Sequence, residues 1–189
     1  LARRAPGPGP WRVFFANSGA EVVEGAIKLA RLRTGRQKVV AFYGGCHGRT
    51  SGTMSLTASK PAQRRHFFPM VPGDTHVPFA YCYRCPFKLS YPECDMYCVD
   101  FIQEQVLDTY LPPEDVAAMF VEPIQGEGGY VVPPDDYFKR LKKLLDKNGI
   151  LMVDDEVQAG MGRTGRWFGI ENWDVEPDIL CTSKALASG

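Results

Sequence analysis

The chain has 189 residues, enough for one sizeable domain core, and its 44% hydrophobic and 23% charged content is that of a globular protein rather than a disordered one. Lys plus Arg and Asp plus Glu each number 22, so no net field recommends nucleic acid or an anionic membrane as a partner. No run approaches a membrane span, and the Arg-, Pro- and Gly-rich opening lacks the apolar segment of a signal peptide, which predicts a cytoplasmic protein.

The chain opens at Leu1 rather than Met and closes on "KALASG" without a final element, so a piece of a longer polypeptide is expected. Val13, Phe14 and Phe15 read as a short buried strand. It breaks at Asn17-Ser18-Gly19-Ala20, after which Val22, Val23, Ala26, Ile27, Leu29 and Ala30 recur at helical spacing. Ser18 with Glu21 three residues on matches a capping box, and Gly35 supplies a stop. The first-turn N–H groups of such a helix point into the crevice beyond the strand, where Gly19 lets an anion approach. A phosphate is the expected occupant.

"KVVAFYGGCHGRT" gives a second buried strand over residues 39–42 and a Gly-rich turn. Residues 52–80 read as loop and short helix interrupted by Pro61, Pro69, Pro72 and Pro78, with a short strand near 76–79. A cysteine-bearing insert at 81–98 precedes an amphipathic helix from 99 to about 110. "VAAMFVEPI" is the next strand and "YFKRLKKLLDKNG" the next helix, its basic pairs forming a solvated face. "ILMVDDEVQ" and "PDILCTSK" complete the strands.

Nearly all-apolar strands alternating with helices predict an α/β, three-layer, mostly parallel sheet covered on both faces. Ligands of such sheets sit at the carboxyl ends of the strands. Four polar clusters fall there: Asn17-Ser18-Gly19-Ala20, Cys46-His47-Gly48-Arg49, Asp155 to Gln158, and Ser183-Lys184. Strand alternation puts Asp155 and Val157 on one side, so a carboxylate and a branched apolar group can address one planar ligand. A buried carboxylate beside a ring nitrogen keeps that nitrogen protonated; Mg²⁺ binding and loop capping are the alternatives for an acidic strand end. Lys184 is either a solvated charge or, in a semi-buried site, a nucleophile toward an aldehyde. Phosphate cradle, pyridinium partner and aldehyde-capturing lysine are three demands of one cofactor, pyridoxal phosphate.

Cys82, Cys85, Cys94 and Cys98 form C-x-x-C followed by C-x-x-x-C, with Cys46 and Cys181 elsewhere. In a reducing compartment this spacing favours a structural zinc over disulfides; reduced thiols in a packed insert are the third reading.

Through "NSGAE", "HGRT", "EPIQGEGG", "VDDEVQAGMGRTG" and "PDILCTSKALASG" the sequence resembles, over essentially its whole length, the class III aminotransferases of the ornithine, acetylornithine and 4-aminobutyrate type, which are fold-type I pyridoxal-phosphate enzymes. The resemblance implies that residues 1–189 are a central part of the cofactor-binding large domain, incomplete at both ends, with the small domain absent. It implies a phosphate site at Ser18, Gly19 and Ala20, the last two through N–H groups, and a cofactor pocket that includes Cys46 and His47. Cys46 departs from the pattern, since an aromatic residue usually stacks on the pyridine ring there and a thiol has no such π-face.

By the same resemblance Asp155 pairs with the pyridine nitrogen, Val157 packs on the ring and Gln158 hydrogen-bonds the phenolic oxygen. Lys184 forms the Schiff base and moves the proton, so Lys184 and Asp155 are the catalytic pair. Glu127, after Glu122 in the Gly-rich loop, would pair with a downstream arginine outside this sequence that receives an α-carboxylate, gating between substrates. The implied activity is transamination from an amino acid, such as the terminal-amine donors 4-aminobutyrate or ornithine, to a 2-oxo acid, in a homodimer whose partner subunit adds a phosphate contact. The chain alone is expected to be inactive. An amino-acid racemase or a decarboxylating transaminase of the same fold is the alternative, and a non-catalytic zinc-binding module is the rival from another class.

Overall fold

Five parallel strands in the order β2-β1-β3-β4-β5 form one sheet in the computed structural model, which describes residues 1–186. They are β1 (Lys38–Phe42), β2 (Asp74–Val77), β3 (Val116–Val121), β4 (Leu151–Asp155) and β5 (Ile179–Cys181). All six residues of β3 are buried, as both faces of the central strand are covered. On one face α1 (Gly19–Thr34) lays Val23, Ala26, Ile27 and Ala30 against Val39, Ala41, Phe120 and Val153. On the other, α4 (Tyr137–Asn148) packs Phe138, Leu141 and Leu145 with Val40, Met119 and Met152. The three-layer parallel sheet expected from the sequence is therefore present.

The helix ends follow the local chemistry. Ser18 Oγ accepts the N–H of Glu21 at 3.2 Å, and α1 stops at Gly35, whose φ of 71° is left-handed. The capping box is not closed on Ser18: the Glu21 carboxylate accepts the N–H of Asn17 at 2.6 Å instead. A short α2 (Ser51–Leu56) follows β1, and β2 begins two residues earlier than expected. After the cysteine insert, α3 (Tyr97–Phe101) widens into a π-wound segment, Ile102–Leu107. There the Asp108 N–H donates to the Gln103 carbonyl at 2.9 Å, and the extra residue per turn lets both Val106 and Leu107 join the core.

The expected buried strand at Val13-Phe14-Phe15 is a correction. These residues form no strand and are 42%, 78% and 76% exposed. No sheet edge pairs with them among the described residues. Together with α1 and β5 they line an open cleft of about 1580 Å³, where their apolar side chains lack a covering layer.

At the amino end of the strands, away from the polar clusters, Arg36 Nη1 reaches four carbonyl oxygens: Pro113 (3.1 Å), Val116 (3.1 Å), Asn148 (3.2 Å) and Gly149 (2.8 Å). One guanidinium thus ties the start of β3 to the end of α4, where a cation also suits the helix dipole. Arg36→Met should lower the unfolding free energy by about 2 kcal/mol, because charged hydrogen bonds are lost and carbonyls are left short of donors. Urea unfolding measures this.

Candidate active site

From β1 the chain passes to β2 on one side and returns to β3 on the other, so a crevice opens at the carboxyl ends of these strands. The loops that end there approach one another closely. A Cβ at Gly19 would lie 3.2 Å from Val157 Cγ1 and 3.6 Å from Ser183 Cβ, and one at Gly126 would lie 2.2 Å from Gln158 Oε1. A side chain at either glycine would crowd these neighbours. The first turn of α1, the loop after β4, the loop after β5 and the hairpin after β3 therefore meet in one place.

Asp155 closes β4 and is 2% exposed. Its Oδ2 accepts the Nδ1–H of His47 at 2.8 Å, and its Oδ1 accepts the N–H of Val157 at 3.1 Å. His47, equally buried, donates its own backbone N–H to Thr57 Oγ1 at 3.0 Å and sets its ring edge-on to Phe120. Burial disfavours the charged imidazole, but the bond and charge of Asp155, helped by the charge of Glu122, outweigh it and raise the His47 pKa. His47 Nε2 is buried without a partner among the described residues. Asp155 is thus held in place by one imidazole and one backbone N–H.

Glu122 carries a role that the sequence reading left among loop acids. It is 3% exposed, and its two oxygens accept the N–H of Cys46 at 2.8 Å and of Gly126 at 3.0 Å. It thereby pins the loop after β1 to the hairpin after β3. The available signal was its position as the first charged residue after the unbroken apolar run of β3. Cys46 lies half-buried beside it, its thiol pushed up by burial and by the Glu122 charge, and its Sγ faces Gln63 Nε2 at 3.9 Å.

Lys184 follows β5 in a left-handed conformation, φ 38°, rare for a residue with a side chain. Glu127 pairs with Lys60, Nζ to Oε2 2.7 Å, at the surface. Lys60 holds the Glu127 carboxyl below its usual range, with Lys184 and Arg49 adding to the effect. The arginine expected to partner Glu127 lies outside this sequence, and Lys60, for which no motif gave a signal, takes the carboxylate instead.

The structural zinc expected at Cys82, Cys85, Cys94 and Cys98 is not supported. Among the described residues no group of three or more His, Cys, Asp or Glu side chains is arranged to hold a metal ion, and all six cysteines are free. The four thiols line a cavity of about 20 Å³ with Phe87, Tyr91 and Tyr97. The insert packs through its rings, Phe87 lying 5.2 Å from Tyr97 and 5.1 Å from Phe101 between centroids. Burial, with the neighbouring sulfurs, pushes Cys98 up to about 12, so its neutral thiol acts as a small apolar filler.

Burial pushes the Glu122 carboxyl from 4.5 to about 7, against the pull of His47 and the two N–H bonds. A folded-state value above the unfolded one means a contribution to stability that is whole below pH 4.5 and lost as the pH rises through about 7. Glu122→Gln should remove that slope. Relative to the parent protein its unfolding free energy should improve by roughly 3 kcal/mol between those two limits, on top of a constant loss from the weaker acceptor. Denaturant titrations across the pH series read the difference.

The family model described as "Aminotransferase class-III" matches residues 1–189. An acetylornithine aminotransferase of Methanopyrus kandleri is 46% identical over 178 residues, covering 94% of this chain and 40% of that protein. A leucine/methionine racemase of Thermococcus litoralis is 42% identical over 179 residues, with the same two coverages of 94% and 40%. A solved thermostable (S)-enantioselective omega-transaminase from Thermomicrobium roseum superposes with a TM-score of 0.84 at 37% identity, over 92% of this chain and 40% of its own. The chain thus spans about two fifths of the length of the relatives it matches. With the family match running from the first residue to the last, over a parallel sheet whose strand ends gather Ser18, His47, Asp155 and Lys184, the chain belongs to the class-III aminotransferase family.

Proposed function

We propose that this chain supplies the cofactor-binding part of a pyridoxal-phosphate enzyme that moves an amino group from an amino-acid donor to a 2-oxo acid. The observation that carries this reading is the buried His47–Asp155 pair, set at the same strand ends as the first turn of α1 and Lys184. The residues present fit the cofactor. A Cβ at Gly19 would crowd Val157, and the first-turn N–H groups of Gly19 and Ala20 have no intrahelical carbonyl to meet, which suits a phosphate dianion. A carboxylate kept out of water suits a cationic ring nitrogen.

Pyridoxal phosphate, when bound, supplies an electron sink that weakens the bonds at the donor's reacting carbon. Ser18, Gly19 and Ala20 bind the phosphate. Asp155, oriented by His47, would keep a proton on the ring nitrogen, while Val157 would pack against the ring and Gln158 would donate to the phenolic oxygen. Cys46 lies where a stacking ring is usual in the family. Lys184 Nζ would hold the cofactor through its aldehyde and, when free, would move the proton at the donor's reacting carbon. Glu127 guards the substrate side, its carboxylate occupied by a cation until a substrate carboxylate competes for it.

A terminal-amine donor is the proposed substrate class, supported by the likeness to an acetylornithine aminotransferase. A homodimer is supported by the exposed apolar surface at Phe14, Phe15 and Leu32, and a cytoplasmic setting by the six free thiols. No helix among the described residues is long and apolar enough to cross a membrane. The racemase likeness favours one second reading, in which the same proton is removed and returned to the opposite face.

The test uses the full-length protein loaded with pyridoxal phosphate. Borohydride should fix the cofactor to Lys184, as mapped by peptide mass, and a label on another lysine removes Lys184 from the role. Single-turnover mixing with the amino donor should bleach the pyridoxal absorbance and release an oxo product. Lys184→Ala should slow that step by roughly 10³-fold. Inversion of the donor with the absorbance retained would establish the racemase instead.

A further inference from the structure

Two carboxyl groups on the far side of β4 have no part in the chemistry above. Strand alternation turns Asp154 and Glu156 away from Asp155, toward the face covered by α4, where Met152 belongs to the core. Asp154 is 0% exposed and Glu156 1%. Both oxygens of Asp154 and Oε2 of Glu156 are buried with no partner among the described residues. Glu156 Oε1 is better placed: it accepts the N–H of Ile170 at 2.8 Å. Two residues apart on one side of the extended chain, the two carboxyls share the same buried face.

No Lys, Arg or His side chain bonds to Asp154 or Glu156 among the described residues, and the donor that meets Glu156 is the Ile170 N–H. Two ionised carboxylates on one buried face, without a counter-cation, are untenable; one proton between them removes both the repulsion and the unpaired oxygens. The anion belongs on Glu156, where an N–H donor meets it.

We propose that Asp154 is a neutral carboxylic acid that donates its O–H to the Glu156 carboxylate, so that the pair bears one negative charge and lets Asp155 remain an anion toward His47 and the cofactor. Asp154 and Glu156 are thus positioning residues. Two ionised carboxylates behind Asp155 would add their repulsion to the strand end that carries the Asp155–His47 pair. The shared proton confines protonation to the α4 face. It also binds the end of β4 to the Gly169–Ile170 turn, which sets the direction in which residues 155–158 leave the strand.

Infrared difference spectra of full-length apoprotein, with aspartate labelled by carbon-13 at its side-chain carboxyl, test the proton directly. At about pH 9, where free carboxyls and Glu122 are ionised, a carboxylic-acid C=O band should persist and shift with the label. Asp154→Asn should abolish it, and so should Glu156→Gln, which removes the anionic acceptor. Absence of such a band from the parent protein, or a band that survives both substitutions, overturns the proposal. In the holoenzyme Asp154→Asn, which keeps a donor toward Glu156, should hold pyridoxal-phosphate affinity within about threefold, whereas Asp154→Ala, which strips the carboxylate of its partner, should lose about tenfold or more. Equal loss in the two variants would overturn the positioning role. The affinity comparison rests on Asp155 addressing pyridoxal phosphate, as proposed above; the infrared band is a property of the apoprotein and stands or falls by itself.

Discussion

Asp155 is a carboxyl group almost wholly removed from water, and such a group is tolerated there only when hydrogen-bonding partners meet it. His47 meets it at 2.8 Å across 108 residues of sequence, joining the loop after β1 to the end of β4. The demand spreads outward from this bond. His47 needs its ring held, so Thr57 takes its backbone N–H and Phe120 packs against the ring in a T-shaped contact. Its loop in turn needs an anchor, which Glu122 provides through the N–H of Cys46. The same Glu122 holds Gly126, against whose backbone the Gln158 amide lies. One buried pair thereby organises the loops that end β1, β3 and β4.

Four buried carboxyls surround the ends of β3 and β4, and their surroundings give each a different state. Asp155 has an imidazole. Glu122 has two backbone donors and a nearby imidazole, yet burial still lifts it to about 7. Asp154 and Glu156 have each other. Glu127, in solvent, has Lys60 and pays no desolvation of consequence. Among the buried four, Asp155 is the carboxyl with an imidazole bonded directly to it. That separation of states is what makes a strand end crowded with acids chemically useful.

The apolar residues that disagree with their sequence pattern do so for want of a neighbour. Val13 to Phe15 have the composition of a buried strand, but strand formation requires a partner edge, and burial requires a layer above. Beside α1 and β5 they line an open cleft instead. The cysteine insert shows the opposite case. Its thiols have metal-site spacing, but their chain path places them around a small aromatic-lined cavity, and the insert is stabilised by ring packing.

Much of the fold was legible because its signals are local. The all-apolar runs of β1, β3 and β4, the 3.6-residue spacing of α1 and α4, and the glycine stops at Gly35 and Gly149 are each contained within one element. Alternation of strands and helices then required a parallel sheet, and with it a site at the carboxyl ends, so the clusters at Gly19, His47, Asp155 and Lys184 were identifiable before any contact was known. Which atoms meet was not. The His47–Asp155 bond, the Glu122 clamp, the Lys60–Glu127 pair and the Asp154–Glu156 contact join residues by register and loop path. Alternation along β4 sorts Asp155 from its two neighbours, but only the positions of α1 and α4 decide which side of the sheet holds the site and which holds unpaired acids. The amino-acid sequence determined the elements and the types of groups at their ends, because those depend on neighbours in the chain. The tertiary structure decided their charge states and partners, because desolvation and hydrogen bonding depend on neighbours in space.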